Sequence, residues 1–429
     1  MRVLLTANAS YVPPRGGATR SNLVWLEILA SAGHACRVVA PALARAVVDE
    51  QVRDERTERE WRRTPGVGVE TYERRGVEVV AVAERSRLVA VLRDQIREYQ
   101  PDWVLVSSED LGHVLLREAE RAAPGRIVYV AHTPQFFPFG PASWNPDAQA
   151  TAVVRRAAAV LAIGHHTAGY IQAYAGRGAE VVHPPIYGSG PYPNLARFGE
   201  GLVTIINPCA VKGISIFLAL ADRFPEYGFG ALPGWGTTGA DRRELERRPN
   251  IRLLPNVKDI EDFFRQTRVL LMPSLWYEGF GLSVMEAMLR GIPAVASDSG
   301  GLEEAKRGTG AVVPTRGIER FEPVFDEHGM PQPVVPATDI EPWADALRTL
   351  LSSEQEYMRE SERSRRAALR FVEAIRPGRI VEFLAALQPA EPHAEPPARA
   401  IPHAEALSPE KRALLLKRLR EKAAGRDPS

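Results

Sequence analysis

The sequence predicts an α/β protein whose strands run parallel and are covered by helices. Three observations carry this. Short apolar runs such as Val269 to Met272 and Ile292 to Ala296 end in loops rich in Pro, Ser and Gly, as strands buried on both faces do. A helical stretch, Leu282 to Leu289, separates these two runs, and Gly291 stops it, which makes a βαβ unit. The chain also opens with a strand, a glycine-rich turn, a helix and a second strand.

In that opening unit Arg2 to Leu5 is the first strand, YVPPRGGATR the loop, Ser21 to Ala32 the helix and Cys36 to Ala40 the second strand. Gly16 and Gly17 read as a tight turn. Residues 44–75 are highly charged and predict a solvated helix, then a strand or hairpin reaching Val77 to Val80. A helix over 87–99 leads to the strand Pro101 to Ser107, and Ile127 to Val130 is a further strand ending at Ala131 and His132. His132 therefore stands at the C-terminal end of a core strand, a place open to both structural and functional readings. The stretch Gln135 to Gly140 is either an apolar shelf beside a cleft or simple loop packing. Ala157 to Gly164 is a strand, His165 and His166 open a helix, and Glu180 to Pro185 is the last strand of this half. The two histidines have no third ligand at a suitable spacing, so metal binding is not expected there. A linker rich in Gly and Pro, GSGPYPNLARFGEG, follows.

The second half begins with the strand Leu202 to Ile206 and a loop that places Lys212 and Gly213 at a helix start, a sound anion anchor. The segment Gly228 to Gly236 is a weak match to a dinucleotide fingerprint and reads better as a loop, with Gly234 lining a nucleotide site. Ile251 to Val257 is another strand. Residues 316–337 look like an insertion, Glu341 to Leu351 is a helix, and 353–387 supply further helices.

The most informative stretch is 269–304, VLLMPSLWYEGFGLSVMEAMLRGIPAVASDSGGLEE. Glu286 lies on a helix that is apolar nearly all round, where a bare carboxylate costs several kcal/mol. It is either a structural salt bridge or an acceptor for the vicinal hydroxyls of a ribose. Glu278 faces the same pocket, and Gly279, Phe280 and Gly281 let backbone N–H groups approach an anion at the start of the helix.

This constellation resembles the donor site of the retaining glycosyltransferases of family four, which have the GT-B fold of two Rossmann-like parallel-sheet domains facing a cleft. In that family two glutamates are separated by seven residues, as Glu278 and Glu286 are here. The resemblance implies that Glu286 holds the nucleotide ribose and Glu278 contacts the transferred sugar. The backbone from Gly279 to Leu282 would cap sugar and phosphates. It further implies that His132 contacts the sugar and that Gly16 and Gly17 lie against the phosphates or the acceptor. Asn256 and Val257 would meet the base through backbone atoms, and Lys212 would meet the diphosphate. The chain departs from the family where Asn207 and Pro208 replace the usual Gly-Arg, so a second cationic phosphate contact is missing. The implied domains are 1–190 for the acceptor and 191–388 for the donor, closed by a helix that crosses back to the first. The reaction is transfer of a sugar from a UDP- or GDP-linked donor with retention. No cofactor is expected, and the sequence has no Asp-x-Asp pair, so no metal is expected either. A same-fold phosphorylase, a sugar-nucleotide hydrolase or a non-catalytic partner would carry the same motifs.

Composition agrees with this and excludes other classes. The 429 residues are 45% hydrophobic, enough for two full cores, and a net charge of +1 argues against nucleic acid or an anionic membrane as partner. Two cysteines, Cys36 and Cys209, form no framework. The N-terminus is no signal peptide, and nothing approaches the ~18 apolar residues of a membrane span, so a cytoplasmic place is expected. Residues 389–406 form a linker with five prolines, and 407–429 a basic amphipathic helix with seven Lys/Arg against three Asp/Glu. The string LSPEKRALLLKRLR is similar to the segment preceding condensation domains of nonribosomal peptide synthetases. It implies natural-product biosynthesis and docking of the tail on a synthetase or carrier protein.

Overall fold

The computed structural model describes residues 1–14, 16–42, 63–66, 68–257 and 259–390. Most of the charged stretch 44–75, and the tail whose helix and docking role the sequence suggests, lie outside these residues.

Two sheets organise the chain. The first has nine strands: β1 (Arg2–Thr6), β2 (Ala35–Pro41), β3 (Arg63–Gly66), β4 (Val69–Arg74), β5 (Val77–Val82), β6 (Trp103–Ser107), β7 (Ile127–Ala131), β8 (Ala159–Ala162) and β9 (Glu180–Val181), in the order β3-β4-β5-β2-β1-β6-β7-β8-β9. It is parallel from β5 to β9, while β4 pairs antiparallel with both β3 and β5. The sheet is thus mixed at that edge. Tight turns at Gly68 and Gly76, both at positive φ, join these neighbours, and so short a connection can only reverse the chain. The second sheet is wholly parallel: β10 (Leu202–Ile206), β11 (Phe229–Leu232), β12 (Ile251–Leu253), β13 (Thr267–Met272), β14 (Ala294–Ser297) and β15 (Val312–Val313), ordered β12-β11-β10-β13-β14-β15. The stretch 316–337 contains a separate antiparallel hairpin, β16 (Phe321–Phe325) and β17 (Pro331–Pro333).

Both sheets are covered on both faces, so successive strand residues enter different cores. Val3 and Leu5 pack under the helix Gly17–Ser31, while Leu4 packs on the opposite face with the helices Leu88–Tyr99 and Val114–Ala122. In the second sheet Leu270 and Met272 pack with the helix Leu282–Leu289, and Val269 and Leu271 join the helices Ile214–Arg223 and Glu341–Ser352. The first of these cores is continuous between the halves. The helices Glu354–Ala374 and Arg379–Ala386 also contribute to it. The latter returns to the first half, where Arg379 pairs with Glu180, and beyond it the Ala390 N–H donates to the Gly125 carbonyl at 2.8 Å.

Strand order changes direction between β1 and β6 in the first sheet and between β10 and β13 in the second. In an open parallel sheet, loops leaving the strands at such a point diverge and leave a crevice. The loops after β1, β10 and β13 hold Gly16, Lys212 and Glu278. No described helix is long and apolar enough to cross a membrane.

Candidate functional site

The crevice of the second sheet is built by close backbone packing. Gly213, at φ +75, ends the loop after β10, and a Cβ there would lie 1.9 Å from the Pro273 carbonyl oxygen. Only glycine lets the two loops meet. That contact brings Lys212 Nζ onto a carboxylate oxygen of Glu278, which also accepts from Ser274 Oγ. Lys212 lies 4.5 Å from the centre of the Trp276 ring. The sequence assigns Lys212 to phosphates and Glu278 to a sugar, and the structure pairs the two with each other. Both side chains are nearly buried, so an anion entering here competes with Glu278 for the ammonium group.

Gly281, at φ +106, starts the helix Leu282–Leu289, and Glu286 is buried one turn in. Its Oε1 accepts from Arg20 Nη1 at 3.0 Å. Arg20 comes from the helix Gly17–Ser31 of the other half, and Gly17 abuts Leu282, where a Cβ would lie 2.6 Å from Cδ1. Glu286 and Arg20 thus form a salt bridge in which the carboxylate is buried and Arg20 is 39% exposed. Sequence reasoning overlooked Arg20. Its signal was a cation three residues after the glycine pair.

His132 is placed differently from the expectation of a ring facing the cleft. The side chain is 1% exposed, stacks on Trp25 at 6.0 Å, and sets Nε2 2.9 Å from Asn22 Oδ1. Asn22 in turn donates to Ser107 Oγ at 3.1 Å. Burial pushes the imidazole down to about 3, so it is neutral, with the Nε2 proton donated to Asn22 and Nδ1 unpaired. What reaches the second half is the His132 carbonyl: a Cβ on Gly279 would lie 2.2 Å from it. The apolar helix Gly17–Ser31 supplies Trp25, and this packing draws the ring inward.

Gly234 lies in the loop after β11, pressed on Asn207, whose Oδ1 accepts from the Gly236 N–H at 2.9 Å. Gly228 to Gly236 is thus not one loop, since Phe229–Leu232 is a strand. Asn256 is exposed and Val257 half-buried beyond β12, on the same sheet edge. In the aromatic stretch after His132, Phe137 and Phe139 are core residues, whereas half-buried Phe136 meets Trp144 edge-on at 5.5 Å. An aromatic wall comes from Trp144, Trp276, Tyr277 and Phe321, around a cavity of about 570 Å³ between the halves and the 316–337 segment.

The argument from spacing against a third metal ligand near His165 fails in three dimensions. Donor atoms of His165, His183 and Glu304 lie within 4.8 Å of one another. Both Glu304 oxygens already accept backbone N–H groups, from His165 at 2.9 Å and His166 at 2.8 Å, so the carboxylate caps the helix His165–Ala175 across the halves.

Residues 231–353 match the model of a family described as glycosyl transferases group 1. A search of curated proteins finds no match. Among solved structures the chain is similar to Anabaena HepE in complex with UDP-glucose, at 18% identity and a TM-score of 0.62, with 90% of this chain and all of that one covered. Sucrose-phosphate synthase from Thermosynechococcus elongatus is similar at 14% identity and a TM-score of 0.62, covering 89% and 97%. The G117R mutant of S. aureus TarM, in complex with fondaparinux, alpha-GlcNAc-glycerol and UDP, is similar at 10% identity and a TM-score of 0.60, covering 89% and 98%. These likenesses show the fold to be GT-B, two Rossmann-like domains facing a cleft.

Proposed function

We propose that the chain is a glycosyltransferase that moves a sugar, with retention, from a nucleoside-diphosphate donor to a hydroxyl of a small acceptor. The observation that carries this is the pair Glu278 and Glu286, flanking the start of one buried helix at the crevice of the second sheet. Each holds a single cation, Lys212 or Arg20. Such a site accepts a ligand with vicinal hydroxyls at one end and phosphate at the other. The family match over 231–353 includes both glutamates, and HepE and TarM bind UDP.

In this reading the ribose replaces Arg20 on Glu286 and the diphosphate draws Lys212 from Glu278, which frees Glu278 for the sugar. The helices starting at Ile214 and Leu282 point their N-termini at the crevice, where their dipoles and Lys212 oppose the charge of the departing diphosphate. The acceptor oxygen attacks the anomeric carbon on the face the diphosphate leaves. The C–O bond to phosphate breaks, and the acceptor proton passes to the diphosphate oxygen. His132, neutral and buried, contributes its backbone and no proton. The natural-product acceptor and the docking role of 407–429 belong to this proposal on sequence resemblance alone.

The test is a melting-temperature series with UDP, GDP, ADP and dTDP, followed by product analysis of the matching sugar nucleotide with and without acceptors. Stabilisation by one diphosphate and acceptor-dependent release of it support transfer. Release at an unchanged rate without acceptor would make the chain a hydrolase, and the absence of any stabilisation would overturn the reading.

A further inference from the structure

Beside the Lys212–Glu278 pair lies the cavity of about 570 Å³, bounded by Pro141 to Trp144 of the first half, by Leu275 to Tyr277 and Ser299 to Gly300 of the second, and by Gly317 to Glu319 with Phe321 and Pro331. Trp144 is its hub. Its ring meets Trp276 at 5.9 Å and Phe321 at 5.4 Å, both edge to face. Trp276 continues to Trp235 at 5.6 Å and carries Lys212 Nζ over its face. No hydrogen bond pins the indole nitrogen of Trp144 or Trp276, so ring contacts orient these side chains.

The hairpin β16–β17 is fastened at both ends. The Ile318 N–H donates to the Leu275 carbonyl at 2.9 Å, His328 Nε2 lies 3.1 Å from the Thr237 carbonyl, and Glu327 accepts from the Gly239 N–H at 2.8 Å. It thus forms a fixed wall between the cavity and the loop after β11.

We infer that this cavity is the acceptor subsite and that it takes a neutral acceptor with a flat apolar ring, an aromatic aglycone rather than a sugar or a phosphorylated compound. The inference rests on the sugar-transfer reading and names its second substrate. Four features support it. Aromatic rings line the cavity, and they bind flat apolar rings through offset or edge-on contact. None of the described residues lining it is a lysine or arginine, and the cations beside it are already paired, Lys212 with Glu278 and Arg316 with Glu319, so an anionic acceptor would have to compete with a carboxylate for its counter-charge. Apart from the two indole N–H groups, three of its polar side chains are engaged: Ser143 Oγ donates to the Phe137 carbonyl, the amide of Gln135 meets the backbone of Tyr277, and Glu319 pairs with Arg316. A sugar would leave most of its hydroxyls without partners there. Finally, Trp276, a wall of the cavity, carries on its face the Lys212 ammonium group that pairs with Glu278, so a hydroxyl on the bound ring lies near the transferred sugar.

The test measures binding of 2-naphthol, methyl α-glucoside and glucose 6-phosphate to the full chain by calorimetry, with and without UDP. The wild type should bind 2-naphthol in preference to the other two. Trp144→Ala and Phe321→Ala should each weaken this about tenfold, as loss of one ring contact does, while Trp144→Phe retains most of it. The melting shift produced by UDP should stay the same in all three variants. Tighter binding of either sugar, or unchanged naphthol binding in both alanine variants, would overturn the inference. If UDP stabilises none of the proteins while the naphthol pattern holds, the donor reading fails and the ring-binding cavity stands.

Discussion

At the scale of the residue, Glu286 and His132 show how one buried polar group is held for exchange and another is locked away. Glu286 is paired with an arginine that is 39% exposed, and solvent screening limits such a pair to about 1 kcal/mol or less of stability. Charged hydrogen bonds to a ribose would each contribute roughly 1.5–3 kcal/mol. Glu286→Gln should therefore weaken nucleoside-diphosphate binding by roughly 1–3 kcal/mol while the melting temperature changes little. A variant that melts far lower with unchanged affinity would make the carboxylate purely structural. His132 carries a different expectation. Burial lowers its folded-state value to about 3 against the ordinary 6.5, so the unfolded chain binds a proton that the folded chain refuses. The stability this ring contributes is complete above about 6.5 and declines by ~1.4 kcal/mol per pH unit as pH falls toward about 3. Urea titrations of wild type and His132→Gln between pH 7 and 4 should show a shallower acid loss in the variant. Equal slopes would mean that the ring is protonated in the folded protein.

At the scale of the element, the loops leaving β10 and β13 are set by glycines with no room for a side chain. Gly213→Ala requires both a left-handed alanine and displacement of the Pro273 carbonyl. It should lose more than ~2 kcal/mol of stability and reduce turnover, because Lys212 moves with it. Gly176→Ala, at φ +66 in the left-handed helical region with nothing within 4 Å, should lose only about 1 kcal/mol. Comparable losses in the two would mean that the loop contact has no weight. Elements such as β13, the helix Leu282–Leu289 and β14 were legible because each is an almost wholly apolar run bounded by Pro, Ser or Gly. The antiparallel strand β4 was less so, since a charged stretch carries little periodic signal. The inward turn of His132 was not legible at all. It depends on Trp25 and Asn22, more than a hundred residues away, and no spacing in the chain records that contact. The same holds for the third member of the His165 cluster, and Arg20, though marked by its place after the glycine pair, gave no sign of its partner Glu286.

At the scale of the molecule, the halves meet through a few polar contacts set around an apolar seam. Thr167 Oγ1 donates to the Gly279 carbonyl at 3.0 Å, His166 meets Tyr277, and Arg20 meets Glu286. Glu304 differs from these because it caps a helix of the first half from a helix of the second, Leu302–Lys306. The helix His165–Ala175 has Gly164 at its N-cap and no side-chain cap of its own, so its leading N–H groups depend on the opposite half. Glu304→Ala should thus act twice, leaving the N–H groups of His165 and His166 without their carboxylate and loosening the seam. The expected loss is about 1–2 kcal/mol, the size of a helix-cap deletion. Hydrogen exchange should quicken at His165 to Ala168 in the variant, and also at Gly279 to Leu282, which lies across the same seam. Exchange confined to the first of these segments would reduce Glu304 to a local cap and leave the seam to the other polar contacts and the shared apolar core.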